Sequence, residues 1–221
     1  MERITALLHR DQPARWVFAG DSITHGAAHT NGWRDYTELF SERLRWELGQ
    51  PRDIVIKTGI SGWTIEALAN DLDANVLSFA PDCVSLMFGM NDCTQGPDGL
   101  AAFRDRYQTV VETIRTRTGA EVLLHTPNAV IPPASEARLA NLPAYREVIL
   151  ELASEIDLPA IDHFAVWSSP EFANAVHHWM DDGFHPNEFG HRVLARVLFQ
   201  ALDLWDGASP TCRLPIQPAG T

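Results

Sequence analysis

The stretch "RWVFAGDSITHG", residues 15–26, decides which fold to expect. Its first half is a nearly continuous apolar run, which is typical of a strand buried on both faces of a parallel sheet. The run ends at a glycine, and Asp21 and Ser22 follow at once. In open parallel sheets the functional crevice lies beyond the carboxyl ends of the strands. The stretch therefore predicts a strand that delivers Ser22 to the edge of a crevice.

Four further short apolar runs follow along the chain, with longer amphipathic stretches between them. The five runs together are residues 15–19, 53–57, 83–88, 121–125 and 158–162. Strand and helix patterns alternate throughout, which favours an α/β fold built as a three-layer α/β/α sandwich with right-handed crossovers. We therefore predict a five-stranded parallel sheet covered by helices on both faces.

Apolar residues spaced three or four apart predict four main helices between and after these strands. The patterns run from Trp33 to Leu48, from Leu100 to Ile114, from Leu142 to Ile156 and from Phe189 to Leu204. Pro143 fits the first turn of the third helix, where a missing N–H removes no helical hydrogen bond. Asn187 is the expected N-cap of the fourth helix.

The 221 residues are expected to form one domain over residues 1–206, because no linker or internal repeat divides the chain. Residues 207–221 are rich in proline and glycine and lack a helical or strand period, so we expect an irregular tail there. Residues 128–143 form the longest irregular-looking connection, and they are placed to overhang a site at the strand ends.

Charge and cysteine content limit the partners and the compartment. The chain has 17 Lys and Arg against 29 Asp and Glu, a formal charge of −12, which repels phosphate backbones and argues against a nucleic-acid partner. The 3 cysteines cannot all pair and show no CxxC spacing, so neither a disulfide framework nor a zinc ribbon is indicated. No signal-peptide pattern and no run of about 18 apolar residues is present. We expect a soluble, cytoplasmic protein without a membrane span.

The segment "DDGFHP", residues 181–186, supplies groups that can activate a serine. A hydroxyl is a weak nucleophile unless a base takes its proton, and histidine is the usual base near neutral pH. Asp182 stands three residues before His185 and can hold the far ring nitrogen if the turn folds back. We predict Ser22 as the nucleophile, His185 as the base and Asp182 as the residue that orients the base.

Acyl transfer also requires hydrogen-bond donors for the oxyanion that develops. Gly62 in "GISGW" follows the second apolar run and offers a backbone N–H without a side chain in the way. Asn91 in "GMND" follows the third run and offers a side-chain amide. Together with the N–H of Ser22, these two residues are the predicted oxyanion hole.

Four blocks of the chain, in order, resemble those of the SGNH hydrolases, the GDSL-type esterases. They are "FAGDSITHG", "GISGW", "GMND" and "DGFHP", and they span residues 18–186. One block alone is a weak signal, whereas four in order, each after a predicted strand or before the last helix, are specific. The resemblance implies a flavodoxin-like sandwich, a shallow exposed active site, no metal, no cofactor, and hydrolysis of esters or thioesters. It also implies the roles predicted above for the five site residues, which are Ser22, Gly62, Asn91, Asp182 and His185.

One position departs from the pattern of that family. An asparagine often stands five residues before the glycine of the second block, and here that position is Lys57. How the loop around Gly62 is held is therefore not inherited from the resemblance. Trp63, beside this glycine, and Phe184, beside the histidine, are predicted to contact the substrate.

The predicted activity is that of a serine esterase acting on small or short-acyl esters through a covalent acyl-Ser22 intermediate. O-acetyl groups on carbohydrates are the favoured substrates, because sugar rings stack on exposed aromatic faces. A short-chain acyl thioesterase or a lysophospholipase-like hydrolase is the alternative. A homo-oligomer remains open, because the proline-rich tail is placed to reach a second subunit.

Two hypotheses from other classes remain at this stage. One is a non-catalytic flavodoxin-like binding module, although "GDSITHG" lacks a Gly/Thr-rich phosphate cradle. The other is a metal-dependent phosphoesterase, because histidines and aspartates that can ligate zinc or manganese crowd one segment. These residues are His177, His178, Asp181, Asp182 and His185.

Overall fold

The computed structural model describes residues 1–218, and within them the sheet has five strands paired in parallel. The strands are β1 (Arg15–Gly20), β2 (Ile54–Lys57), β3 (Cys83–Met87), β4 (Glu121–His125) and β5 (Ala160–Ile161). Their order across the sheet is β2-β1-β3-β4-β5, which is the flavodoxin-like order. The predicted five-stranded parallel sheet is confirmed.

The two central strands account for the continuous apolar runs. β1 and β3 pair in register, with Val17 opposite Val84. Every residue of β3 is buried, and so is every residue of β1 except Arg15. β2 lies on one side of β1 and β3 lies on the other, so the strand order reverses between β1 and β3. The crevice that such a reversal creates opens at their carboxyl ends, beside Ser22.

Helices cover both faces of the sheet, as the predicted three-layer sandwich requires. The α-helices of the described residues are α1 (Glu2–Leu7), α2 (Ser22–His25), α3 (Tyr36–Glu42), α4 (Ile65–Asn70), α5 (Leu72–Asn75), α6 (Leu100–Thr118), α7 (Glu136–Glu155), α8 (His163–Trp167) and α9 (Glu188–Ala201). α3 packs against α9, whereas α6 contacts both α4 and α7. Right-handed crossovers in opposite directions from β1 place these two groups on opposite faces.

The third predicted helix begins earlier than its apolar pattern indicates. α7 starts at Glu136 rather than at Leu142, because the Ser135 hydroxyl caps it by accepting the N–H of Arg138 at 3.4 Å. Pro143 therefore lies inside the helix, and its predicted place in the first turn is wrong. The irregular connection after β4 accordingly ends at residue 135, close to the carboxyl edge of the sheet.

The other two helix ends that matter for the site are set by side-chain caps. Asn187 accepts the N–H groups of Phe189 and Gly190, which confirms it as the N-cap of α9. The first of the four predicted helices begins only at Tyr36, after a capping box formed by Asp35. Trp33 at the start of the predicted pattern lies outside it. After Glu42 the chain continues as a π-helix, Arg43–Glu47.

The irregular segment after α9 packs on this π-helix as far as it is described. The carboxylate of Glu47 accepts the Thr211 N–H at 3.0 Å and the hydroxyls of Ser209 and Thr211. Cys212 is buried nearby, and like the other two cysteines it is a free thiol. Residues 219–221 of the predicted tail lie outside the described residues, and the domain boundary at residue 206 stays a prediction. Within residues 1–218, every helix is too short or too polar to span a bilayer.

Candidate active site

Ser22 lies at a tight turn, where β1 passes directly into α2. A Cβ on Gly20 would lie 2.2 Å from Thr24 Oγ1 and 2.8 Å from the Met87 carbonyl, so only glycine allows this close passage. Asp21 caps the helix by accepting the Ile23 N–H at 2.9 Å. The turn holds Ser22 at the carboxyl edge of the sheet, where the side chain is 7% exposed.

Three of the predicted residues form one continuous hydrogen-bonded relay. Ser22 Oγ lies 2.9 Å from His185 Nε2, and His185 Nδ1 lies 2.8 Å from Asp182 Oδ2. The other oxygen of Asp182 accepts the backbone N–H groups of Phe184 and His185, both at 2.8 Å. A carboxylate can only accept, so the ring proton sits on Nδ1 and leaves Nε2 to accept the serine proton. The turn folds back, which sets the Asp182 carboxylate against His185 Nδ1.

The electrostatics of the relay suit a base that is neutral at physiological pH. Burial lowers the pKa of His185, opposed by Asp182, while electrostatic repulsion from the neighbouring His29 and Arg138 lowers it further. Burial acts to raise the pKa of Asp182, but the hydrogen bonds from His185 and the turn outweigh it and lower the pKa overall. The pair is therefore a neutral imidazole held by an ionised carboxylate, which is the state that general-base catalysis requires.

His29 adds a contact to the relay that the sequence did not indicate. Its ring stacks on that of His185, with centroids 3.6 Å apart and planes 9° apart. His29 Nδ1 also lies 2.8 Å from the Asp181 carboxylate. On the histidine loop itself, the Phe184 ring lies 4.0 Å from His185, tilted by 38°. The His185 ring is thus held by packing as well as by hydrogen bonds.

Two of the three predicted oxyanion donors have N–H groups without an acceptor among the described residues, and the third is partly engaged. Across residues 1–218, neither the Ser22 N–H nor the Gly62 N–H donates to a protein acceptor. Gly62 has φ +83°, a left-handed conformation that favours glycine, and a side chain there would meet open space. Asn91 Nδ2 donates to the Trp63 carbonyl at 2.9 Å, so the amide lies beside the Gly62 loop.

The asparagine that often stands five residues before Gly62 is absent here, and other side chains hold the Gly62 loop. The His25 ring hydrogen-bonds the Ser61 hydroxyl at 3.0 Å and so ties the loop to α2. The buried carboxylate of Asp92 accepts the N–H of Ile65 at 2.9 Å, just beyond the loop. Lys57, which occupies the position of that asparagine, forms an ion pair with Asp35 in the cap of α3.

Two buried carboxyl groups lie beneath the site. Burial raises the pKa of Asp21 to about 7 and that of Asp92 to about 6, and the negative charge of Asp92 also raises the pKa of Asp21. Asp21 Oδ2 is buried without a hydrogen-bond partner among the described residues. The raised pKa means that the Asp21 carboxyl beneath Ser22 is only partly ionised near neutral pH.

The aromatic residues divide between the site and the core. Trp63 and Phe184 are half-buried beside Gly62 and His185 respectively. The guanidinium of Arg138, from the first turn of α7, lies 4.1 Å from the Phe184 ring centroid. Trp179 is fully buried against Trp167, so it is a core residue.

The segment before α7 closes one side of the site. Ile131 N–H donates to the Gly183 carbonyl at 2.9 Å. A Cβ on Gly183 would lie 2.2 Å from the backbone nitrogen of Ala134, so the segment packs directly on the histidine loop. The connection predicted to overhang the site contacts it here.

The metal hypothesis concerns the same side chains as the relay. Among residues 1–218, His29, Asp182 and His185 have potential ligand atoms within 4.8 Å of one another. His177 and His178, which the sequence added to this cluster, do not join the group. Two of its three members already hydrogen-bond within the relay, so a metal ion would compete with the serine for His185.

Comparisons with known proteins agree with this fold. The chain is 25% identical over 204 residues to the acetylxylan esterase of Geobacillus stearothermophilus, covering 84% of this chain and 92% of that protein. It superposes on the crystal structure of the acetyl xylan esterase AlAXEase with a TM-score of 0.71 and 26% identity, covering 85% and 98% of the two chains. It superposes on a GDSL-like protein from Parabacteroides merdae with a TM-score of 0.75 and 20% identity, covering 89% and 99%.

A family profile supplies the assignment. The GDSL-like lipase/acylhydrolase profile matches residues 18–193, from the end of β1 into α9. The match includes all four sequence blocks and every residue of the relay. The chain therefore belongs to the GDSL-like lipase/acylhydrolase family and is a serine carboxylic ester hydrolase.

Proposed function

We propose that this enzyme removes short acyl groups from small esters, with O-acetylated carbohydrates as its substrate class, through an acyl-Ser22 intermediate. The observation that carries the proposal is the unbroken relay from Ser22 Oγ through His185 to Asp182, with successive distances of 2.9 and 2.8 Å. Such a relay activates a hydroxyl that is otherwise a weak nucleophile.

Each step of the proposed mechanism uses one group of the site. His185 Nε2 takes the proton of Ser22 as Oγ attacks the ester carbonyl, and Asp182 stabilises the imidazolium. The unpartnered N–H groups of Ser22 and Gly62, with the Asn91 amide, would stabilise the oxyanion. His185 then protonates the leaving alcohol oxygen, which leaves the acyl group on Ser22. A water molecule deprotonated by His185 releases the acid and restores the serine.

The substrate class rests on the relatives and on the surroundings of the relay. Two of the similar proteins are acetylxylan esterases. The contact of Ile131 with Gly183 closes one side of the site, and Trp63 and Phe184 present aromatic surface beside the catalytic groups. Aromatic rings favour stacking with the apolar faces of sugars.

Mass spectrometry of the intact protein and of its peptides tests whether Ser22 is the nucleophile. After treatment with a fluorophosphonate, the wild-type enzyme should gain one adduct, on the peptide that contains Ser22. Ser22→Ala should form no adduct and lose activity on p-nitrophenyl acetate. Ser61→Ala is the matched control, because its hydroxyl bonds His25 rather than His185, and it should still form the adduct. An adduct on the Ser22→Ala variant would contradict the proposal.

An acyl-chain series tests the substrate. Release of p-nitrophenol from acetate, butyrate, hexanoate and octanoate esters should show the highest kcat/KM for acetate. Acetylated xylo-oligosaccharides should release acetate, and acetyl thioesters should react more slowly. A maximum at octanoate or a preference for thioesters would favour the alternative hydrolases. Loss of activity in EDTA, with insensitivity to the fluorophosphonate, would instead favour the metal-dependent hypothesis.

A further inference from the structure

The side-chain amide of Asn91 has a defined orientation, because its two neighbours impose opposite requirements. On one side the Trp63 carbonyl can only accept a hydrogen bond, and it lies 2.9 Å from Nδ2. On the other side the Arg138 guanidinium can only donate, and its Nη2 lies 3.2 Å from Oδ1. A flip of the amide by 180° would set two acceptors against each other and two donors against each other.

This orientation matters because an amide presents different chemistry on its two ends. Nδ2 carries two N–H groups, and only one is used by the Trp63 carbonyl. The second N–H is therefore available for a ligand oxygen. A flipped Asn91 would present a carbonyl oxygen in its place, which would repel the oxyanion instead of stabilising it.

Arg138 is itself fixed at several points, so it can impose this orientation. Its guanidinium lies 4.1 Å from the Phe184 ring centroid, a cation–π contact. Its Nη1 approaches the Ser135 hydroxyl at 3.4 Å, within the cap that begins α7. Its Nε is buried without a hydrogen-bond partner in the described part of the chain, so the head group lies inside the site wall rather than in solvent.

We propose that Arg138 is a positioning residue that locks the Asn91 amide with an N–H directed at the oxyanion. The inference rests on the proposed function, since it requires that Asn91 stabilise an oxyanion. Arg138 joins three parts of the site that are distant in sequence: the cap of α7, the histidine loop through Phe184, and the asparagine block after β3. The first turn of α7 thereby helps to position a group of the site, beside the segment that closes it.

The charge of Arg138 offers a different explanation that an experiment can separate from this one. Its positive charge lowers the pKa of His185, so a substitution could act on the base and not on the amide. An effect on the base shifts the pH dependence of kcat/KM, whereas an effect on the amide lowers kcat at every pH. Arg138→Met removes both the charge and the donors, and Arg138→Lys retains the charge.

A double-mutant cycle with Asn91→Ala isolates the amide. Asn91→Ala should lower kcat by about 100-fold, the scale for loss of one oxyanion donor. Arg138→Met should lower kcat by about tenfold with little change in KM, because the amide is then held by the Trp63 carbonyl alone. In the Asn91→Ala background, Arg138→Met should cost less than about twofold, since no amide remains to orient. Arg138→Lys should remain less active than the wild-type enzyme, because an ammonium lacks the planar pair of donors of a guanidinium.

Arg146→Met is the matched control, because Arg146 also lies on α7, pairs with the Asp162 carboxylate and lies over a phenylalanine ring, that of Phe164, at 5.6 Å. It should alter the melting temperature without lowering kcat. Three results would overturn the inference. Arg138→Met could lower kcat equally in the wild-type and Asn91→Ala backgrounds, Arg146→Met could lower kcat as much, or the effect of Arg138→Met could appear only as a shifted pH profile. Wild-type activity in Asn91→Ala would overturn it together with the oxyanion assignment, whereas an additive cycle would overturn the inference alone.

Discussion

Replacing Asp182 with asparagine changes the relay without unfolding the turn that holds it. Asp182 Oδ1 accepts the N–H groups of Phe184 and His185 at 2.8 Å, and an asparagine oxygen can do the same. Its NH₂ group would then face His185 Nδ1 in place of Oδ2, now 2.8 Å away. Because an NH₂ group cannot accept a proton, His185 must carry its proton on Nε2, where it blocks deprotonation of Ser22.

Two contributions set the size of the loss. At about 4 Å and an effective dielectric constant of about 20, a carboxylate stabilises an imidazolium by about 4 kcal/mol. The Asp182 side chain is 38% exposed, and screening by solvent reduces this contribution to about 2 kcal/mol. The lost charge-assisted hydrogen bond, which selects the tautomer, adds about 1.5 kcal/mol. The sum of about 3.5 kcal/mol corresponds to a fall in kcat of roughly 300-fold.

Steady-state kinetics with p-nitrophenyl acetate, together with thermal melting, measure this effect. KM should change by less than about threefold, because the substitution affects the transition state more than substrate binding. Asp181→Asn is the matched control, since that neighbouring carboxylate pairs with His29 and not with His185, and its kcat should fall by less than about threefold. Equal kcat values for the two variants, at equal melting temperatures, would refute the role of Asp182.

Three further predictions follow from the pKa shifts and the packing. Because the pKa of His185 is lowered and the base must be neutral, kcat/KM should rise with pH with its midpoint below about pH 6.5; a midpoint above that pH would contradict this. Burial lowers the pKa of His163 to about 3, so the free energy of unfolding should fall as pH drops below about 6.5, by up to about 1.4 kcal/mol per unit. His163→Asn should show a shallower fall in urea titrations at successive pH values. Gly183→Ala should lower kcat at least tenfold, because its Cβ would collide with the backbone of Ala134 and displace the histidine loop; unchanged kinetics would show that the loop tolerates the shift.

The helix boundaries illustrate how far local patterns reach. Asn187 was predicted as a cap because its side chain bonds backbone groups only two and three residues away. The start of α7 was misplaced, because apolar spacing began at Leu142 whereas the polar first turn begins at Glu136 after the cap by Ser135. A turn without apolar residues gives no periodic signal, and only the residue type of the Ser135 cap marks where it begins.

The site residues show the same division between local and distant information. Asp182 and His185 lie three residues apart, so their contact could be expected from the turn alone. The stacking of His29 on His185 joins residues 156 positions apart in numbering, and no pattern around His29 indicates it. Arg138 was missed for the same reason, since its partner Asn91 is 47 residues away.

The sequence by itself determined the alternation of strands and helices and the four blocks that carry the reactive groups. These depend on side-chain periodicity and on chemistry within a turn, which neighbouring residues fix. Only the tertiary structure decided how the imidazole of His185 is packed, how the Gly62 loop is tied to α2, and which side chain orients the amide of Asn91. Those contacts form when the crossovers bring separate strand ends to one edge of the sheet, and the positions of such ends depend on the packing of the whole chain.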